Sequence, residues 1–297
     1  MRRVFAVSHL LALAALVCYT ELYYSSYETV VTLFLCTVGG FLTVLMAEKW
    51  WKTGREATDT KAKIFDMAVT AVLILGFFAI LLNQGVTLYV LLLVAPLVLA
   101  LYSKFTIPKS KLNPILTGVF YGVVMAFVAV VSVIITSQIL GVNKADLAQL
   151  STLSIVLSIG PAVTLLVVAL PEELSFRFLY FNAATQVAGS LLPAFFSTTF
   201  FIFMHAPTRL AYGTLGLVAL AIITVVTLIL VYGYIRECPT PLYSITAHTV
   251  YNSILGFFAS ESIVEVLVGL LVLALIIYML KGKISREEVK ELEAAFK

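Results

Sequence analysis

The sequence predicts an all-α membrane protein, a polytopic bundle of about eight to ten transmembrane helices. Three observations predict it. Hydrophobic residues make up 61% of the 297-residue chain and charged residues only 12%, where soluble domains run near 45–50% and a quarter. The apolar residues gather in runs of about 20, the length that crosses a bilayer core. Those runs are apolar on every side instead of alternating, which excludes a membrane β-barrel. The same figures exclude a soluble enzyme, a nucleic-acid binder and a disordered chain.

Taken in order, Met1-Arg2-Arg3 lead into an apolar run that reaches about Cys18. No small-x-small cleavage site follows, so this reads as an uncleaved first span and not as a signal peptide. Further spans are expected near 29–47, 64–82, 86–103, 114–140, 152–170 with a continuation through 171–187, 191–207, 213–235, 241–259 and 262–280. Turn signals separate them: Asn83-Gln84-Gly85, Pro108 to Pro114, Gly141-Val142-Asn143, Gly189-Ser190 and Pro239-Thr240-Pro241. The tail is different in kind. Ser285 with Glu288 forms a capping box and Ile284 with Val289 a hydrophobic staple, so 282–297 should be a cytoplasmic or interfacial helix.

The net charge of +3 is unevenly spread. Lys49, Lys52, Arg55, Lys61 and Lys63 fill one loop and Lys104, Lys109 and Lys111 another, whereas 21–28 holds Glu21 and Glu28 with no base. The positive-inside rule then puts both termini and both basic loops in the cytoplasm, for an integral protein of the cell membrane whose partner is lipid and not nucleic acid. Cys18, Cys36 and Cys238 lie too far apart for a disulfide framework or a Cys-rich metal site. No internal repeat is visible, which weakly disfavours a transporter.

Chemistry is sought where ionisable groups interrupt apolar runs, because a mid-membrane charge costs about 2.5–3.5 kcal/mol. Arg209, Arg236, Glu237, Glu261 and Glu265 fall at span ends, where water or headgroups can solvate them. Glu172, Glu173, Arg177, His205 and His248 do not, and Asn252 joins them as a strong amide. Pro171 followed by two acids resembles a helix start, yet apolar stretches flank the pair on both sides. Glu173 and Arg177 are i,i+4 and can pair. Glu172 is turned about 100° away. Lacking that partner, it is the acid that burial can make into a general base.

Gly189-Ser190 as a hairpin turn leaves Glu172 17 residues before it and His205 16 after. Both then sit about 25 Å from the turn, at one depth on neighbouring helices. His248 and Asn252 are i,i+4 on another helix, with Ser244 one turn earlier. They make either an interhelical hydrogen-bonding stripe or a pair of donors for one oxyanion. His248 lies only about 10 Å past Pro241 by the same rise, so the depths match only if helices tilt, stagger or break. Two histidines and two glutamates could in principle hold zinc, but there is no HExxH pair, which favours metal-independent chemistry without a cofactor.

Glu172-Glu173-x-x-x-Arg177, Phe201-x-x-x-His205 and His248-x-x-x-Asn252, in that order and with 31 residues between Glu173 and His205, resemble the three motifs of the CAAX-protease and bacteriocin-processing family. That family includes the type II CAAX prenyl endopeptidase. The resemblance covers about 160–260. It divides the chain into N-terminal membrane helices over 1–110, a protease-like membrane core over 111–281 and the tail helix. It implies a glutamate-dependent intramembrane peptidase acting on a membrane-tethered or lipidated peptide. Glu172 with His205 would activate a water, His248 and Asn252 would stabilise the oxyanion, and Glu173 with Arg177 would support the site. Two other readings of the buried charges stay open: an ion or proton pathway through a transporter, and a non-catalytic membrane scaffold. Residues 1–110 are expected only to widen the membrane body.

Overall fold

A computed structural model of the chain describes residues 2–50, 112–151, 168–181, 184 and 191–259. All the regular structure among them is helical. Helix α1 spans Arg2–Tyr23, α2 Ser26–Trp50, α3 Pro114–Leu140 and α4 Lys144–Ser151. Helix α5, Leu170–Glu173, runs on into a π-helical stretch, Leu174–Tyr180. Helices α6 (Leu191–Leu210), α7 (Gly213–Arg236) and α8 (Pro241–Ala259) complete the described chain. Expected spans at 64–82, 86–103 and 262–280, most of 152–170, the Gly189-Ser190 turn and the tail helix lie outside the described residues.

Among the described residues five segments are long and apolar enough to cross a membrane: Arg3–Tyr23, Ser26–Ala47, Pro114–Leu140, Leu191–Leu210 and Gly213–Arg236. Leu11, Phe34, Phe120 and Phe127 are among the large apolar side chains exposed on α1, α2 and α3, a surface that lipid and not water can cover. The chain is an integral membrane protein built as a helical bundle. Helix α8 has 19 residues but gives its buried face to Ser244, His248, Thr249 and Asn252.

Local chemistry sets the helix ends. Asn113 Oδ1 accepts from the amides of Ile115 and Leu116 at 3.0 and 3.1 Å, with Pro114 in the first turn where its missing N–H costs nothing. Gly141 stops the helix at φ 66°, its amide bonded to Ser137 O, a conformation that an L side chain resists. At the start of α2, Ser25 N donates to Glu28 Oε2 at 2.9 Å and Glu28 N to Ser25 Oγ at 3.3 Å, a reciprocal capping box.

Helix α7 is covered on two faces. Leu217 and Leu220 join a core with Phe196, Phe200 and Phe203 of α6, while Ile222, Val226 and Leu230 join another with Met125 and Ala129 of α3 and Leu255 of α8. Residues 2–50 do more than widen the bundle. Thr43 Oγ1 donates to Thr198 Oγ1 at 2.9 Å, Thr199 Oγ1 to Cys36 O at 3.2 Å, and Tyr24 Oη to Pro207 O at 2.9 Å. The α1–α2 hairpin is therefore pinned along α6, the helix that carries His205.

Helices α3 and α8 approach through glycine. A Cβ on Gly118 would lie 2.7 Å from Tyr243 O, and one on Gly122 2.7 Å from Ala247 O and 2.6 Å from Val250 Cβ. Backbone carbonyls cannot swing aside as side chains do, so Gly122→Ala should destabilise the protein by about 1–3 kcal/mol through overpacking. Thermal unfolding in detergent checks this. An unchanged midpoint would mean that the two helices separate freely.

Candidate active site

The site begins at α5. Ala169 is itself helical, φ −65° and ψ −43°, with no side-chain cap, so Pro171 sits within a continuous helical path and does not open a new helix. Beyond Glu173 the winding loosens to π, a form that recurs at functional sites because it depends on tertiary support. Here that support is visible. Ser197 Oγ of α6 donates to Phe176 O at 3.0 Å, and Tyr234 Oη of α7 donates to Arg177 O at 3.1 Å.

Glu173 is fully buried, at 0% exposure. Arg177 Nε lies 3.4 Å from its Oε2, and His248 Nδ1 lies 2.9 Å from its Oε1, which makes Nδ1–H the donor. Ser244, one turn earlier on α8, is buried and donates its hydroxyl to Pro241 O at 3.2 Å, so His248 is the member of the α8 stripe that meets the glutamates. The Arg177 guanidinium stacks 3.8 Å above the Phe201 ring. None of its nitrogens has a hydrogen-bond partner among the described residues. Charge and the π face hold it instead.

Glu172 is turned away from this pair, as the helix requires. Its Oε2 stands 3.9 Å from His248 Nε2, beyond hydrogen-bond length, and has no hydrogen-bond partner among the described residues. His248 thus stands between the two acids, one at each ring nitrogen. Equal depth suggested a Glu172–His205 pair, but among the described ion pairs both glutamates meet His248. His205 Nδ1 instead faces Phe201 O at 2.8 Å. A carbonyl can only accept, so the proton sits on Nδ1 and Nε2 is a bare acceptor.

His205, His248 and Asn252 line one cavity, together with Tyr251, Ser151 and an apolar wall that includes Met125 and Leu230. Asn252 is buried, and its Nδ2 has no partner among the described residues. An amide donor left unsatisfied beside a cavity is costly to folding and ready for an acceptor that enters. The two glutamates stand behind His248 and are not part of the lining.

Arg209 corrects the sequence reading. Expected in solvent at a span end, it is 5% exposed. Its Nε donates to Leu150 O at 3.0 Å and its Nη1 to Thr208 Oγ1 at 2.5 Å, and it lies within electrostatic reach of Glu172. The signal was there in the spacing, since Arg209 is i,i+4 from His205 and shares its face. Ser197 and Tyr234 carried no comparable signal: a hydroxyl in an apolar helix marks nothing until the carbonyl it serves is known. Among the described residues no three His, Cys, Asp or Glu side chains gather as metal ligands.

Collected around one cavity are a bare imidazole nitrogen, an unsatisfied amide donor, a histidine held by a carboxylate and a second carboxylate beside it. That set suits acyl transfer to water without a nucleophilic side chain. Residues 151–254, which contain all six motif residues, match the model of the type II CAAX prenyl endopeptidase Rce1-like family. No curated protein and no solved structure matches the chain. Over residues 151–254, about a third of its length, the chain is therefore similar to the Rce1-like type II CAAX prenyl endopeptidase family.

Proposed function

We propose that the protein is an intramembrane glutamate peptidase that hydrolyses a peptide bond in a lipidated or membrane-tethered substrate of CAAX type. The observation that carries this reading is the arrangement of Glu172 Oε2 and Asn252 Nδ2, two unpartnered buried groups, about His248 at the edge of the cavity shared with His205. A water reaching from that cavity past the edge of the His248 ring gives a proton to Glu172, with His205 Nε2 accepting its second hydrogen and fixing its lone pair toward the scissile carbonyl. The tetrahedral oxyanion takes its hydrogen bonds from Asn252 Nδ2–H and His248 Nε2–H. A ring with protons on both nitrogens is charge-balanced by Glu173 at Nδ1 throughout, and at Nε2 first by Glu172 and then, once Glu172 has taken the proton, by the oxyanion itself. Glu173, itself balanced by Arg177, keeps the ring in that plane. Collapse returns the proton to the leaving amine.

The test is cleavage of a farnesylated CAAX peptide by the full protein in lipid nanodiscs, with mass spectrometry to locate the cut. Asn252→Ala should lower kcat by about 10²–10³ while binding persists, the usual cost of one oxyanion donor. If no lipidated peptide is cut and sealed vesicles carrying the protein conduct protons or ions, the buried charges serve transport instead.

A further inference from the structure

The π turn has a neighbour that this chemistry does not use. His9 lies within α1 and is 1% exposed. Its ring stacks on Phe5 at 3.7 Å between centroids and touches Phe196 at 4.9 Å, Phe200 at 5.8 Å and Tyr180 at 5.8 Å. Tyr180 closes the π turn, three residues after Arg177. Phe196 and Phe200 belong to α6, beside Phe201, whose carbonyl orients His205. One histidine from outside the family-matched segment thus touches two of the elements that carry the site, the π turn and α6.

Its polar tip is the unusual part. His9 Nδ1 is 2.7 Å from Phe5 O and 3.2 Å from Ser8 Oγ, so the proton sits on Nδ1 and Nε2 is a bare acceptor. His9 Nε2 is buried without a hydrogen-bond partner among the described residues, and so is Tyr180 Oη. One is an acceptor and the other a donor, on rings already in contact. The two rings lie 5.8 Å apart between centroids, and two complementary buried groups that are costly apart are compensated when they pair.

We propose that Tyr180 Oη donates to His9 Nε2, directly after a small ring rotation or through one buried water, and that this joint positions the glutamate-bearing turn for catalysis. His9 is then a positioning residue, and its role rests on the peptidase reading above. Because the bond ties α1 to the π turn that holds Arg177 and continues directly from the glutamates of α5, its loss misaligns the attacking groups without altering the cavity that holds substrate.

The test uses the full chain in nanodiscs with the farnesylated peptide. His9→Phe and Tyr180→Phe each keep a ring in place and remove one end of the bond. Each should lower kcat about five- to tenfold with KM unchanged, the worth of one hydrogen bond. The double variant should fall no further than either single one, since both cut the same contact. His9→Gln, which keeps an acceptor, should recover most of the rate. Unchanged kcat, or losses that multiply in the double variant, would overturn the joint. A second readout needs no substrate. The ring C–O stretch of ¹³C-labelled tyrosine, assigned by difference against Tyr180→Phe, should shift in His9→Phe and stay fixed in Glu172→Gln. If the wild type cuts no peptide, that band still decides the pairing, and the peptidase reading alone fails. A band that does not move overturns the pairing.

Discussion

Glu172→Gln should abolish turnover, lowering kcat by about a thousandfold or more while the melting temperature holds. The side chain keeps its shape and loses only its capacity to take a proton, and a positioned general base contributes about 10²–10⁴ in rate. Folding should be indifferent, because Glu172 Oε2 has no hydrogen-bond partner among the described residues and stands 3.9 Å from His248 Nε2. Single-turnover cleavage of the lipidated peptide, with calorimetry on the same preparation, measures both halves. Full activity in Glu172→Gln would remove it from the chemistry and leave His205, whose Nε2 is already an acceptor, as the base.

Arg177→Met should have its effect on stability instead. The guanidinium is buried at 2% exposure, and its carboxylate partner Glu173 is sealed completely. Methionine fills similar volume and leaves Glu173 with only the hydrogen bonds of α8. Removing one member of a buried pair costs about 3–5 kcal/mol, while replacing both by apolar groups is often close to neutral. The expectation is therefore two-sided: Arg177→Met alone strongly lowers the unfolding midpoint, and adding Glu173→Leu recovers most of it, though without restoring activity. Chemical unfolding of the two variants in mixed micelles supplies the comparison. Equal midpoints for wild type and Arg177→Met would show that charge pairing at 3.4 Å adds nothing to the fold.

The helical class could be read from apolar runs because a bilayer leaves the backbone few other options. The ends of α3 were as legible: Asn113-Pro114 and Gly141 carry their own stereochemistry. The polar set was also found by one rule, that a charge in an apolar run needs a reason. What the sequence hid was phase. Counting 1.5 Å per residue from Gly189 back to Glu172 assumes α-helix throughout, and Leu174–Tyr180 is wound more loosely, so equal depth on paper did not select the histidine that meets the glutamates. His248 does so, on a helix for which the same count gave the wrong level. Arg209 was misjudged for a related reason. Pro207 two residues earlier suggests a span end, and nothing local reveals that Leu150 O waits for its guanidinium.

The glycine contact between α3 and α8 also bears on how a greasy substrate could arrive. A lipid-linked peptide must slide sideways out of the bilayer between two helices. With Gly118 and Gly122 pressed against the carbonyls of Tyr243 and Ala247, that seam is already zipped backbone to backbone. On the peptidase reading proposed above, such a substrate would enter away from this seam, with the helix bearing His248 and Asn252 as a doorpost and not as the door.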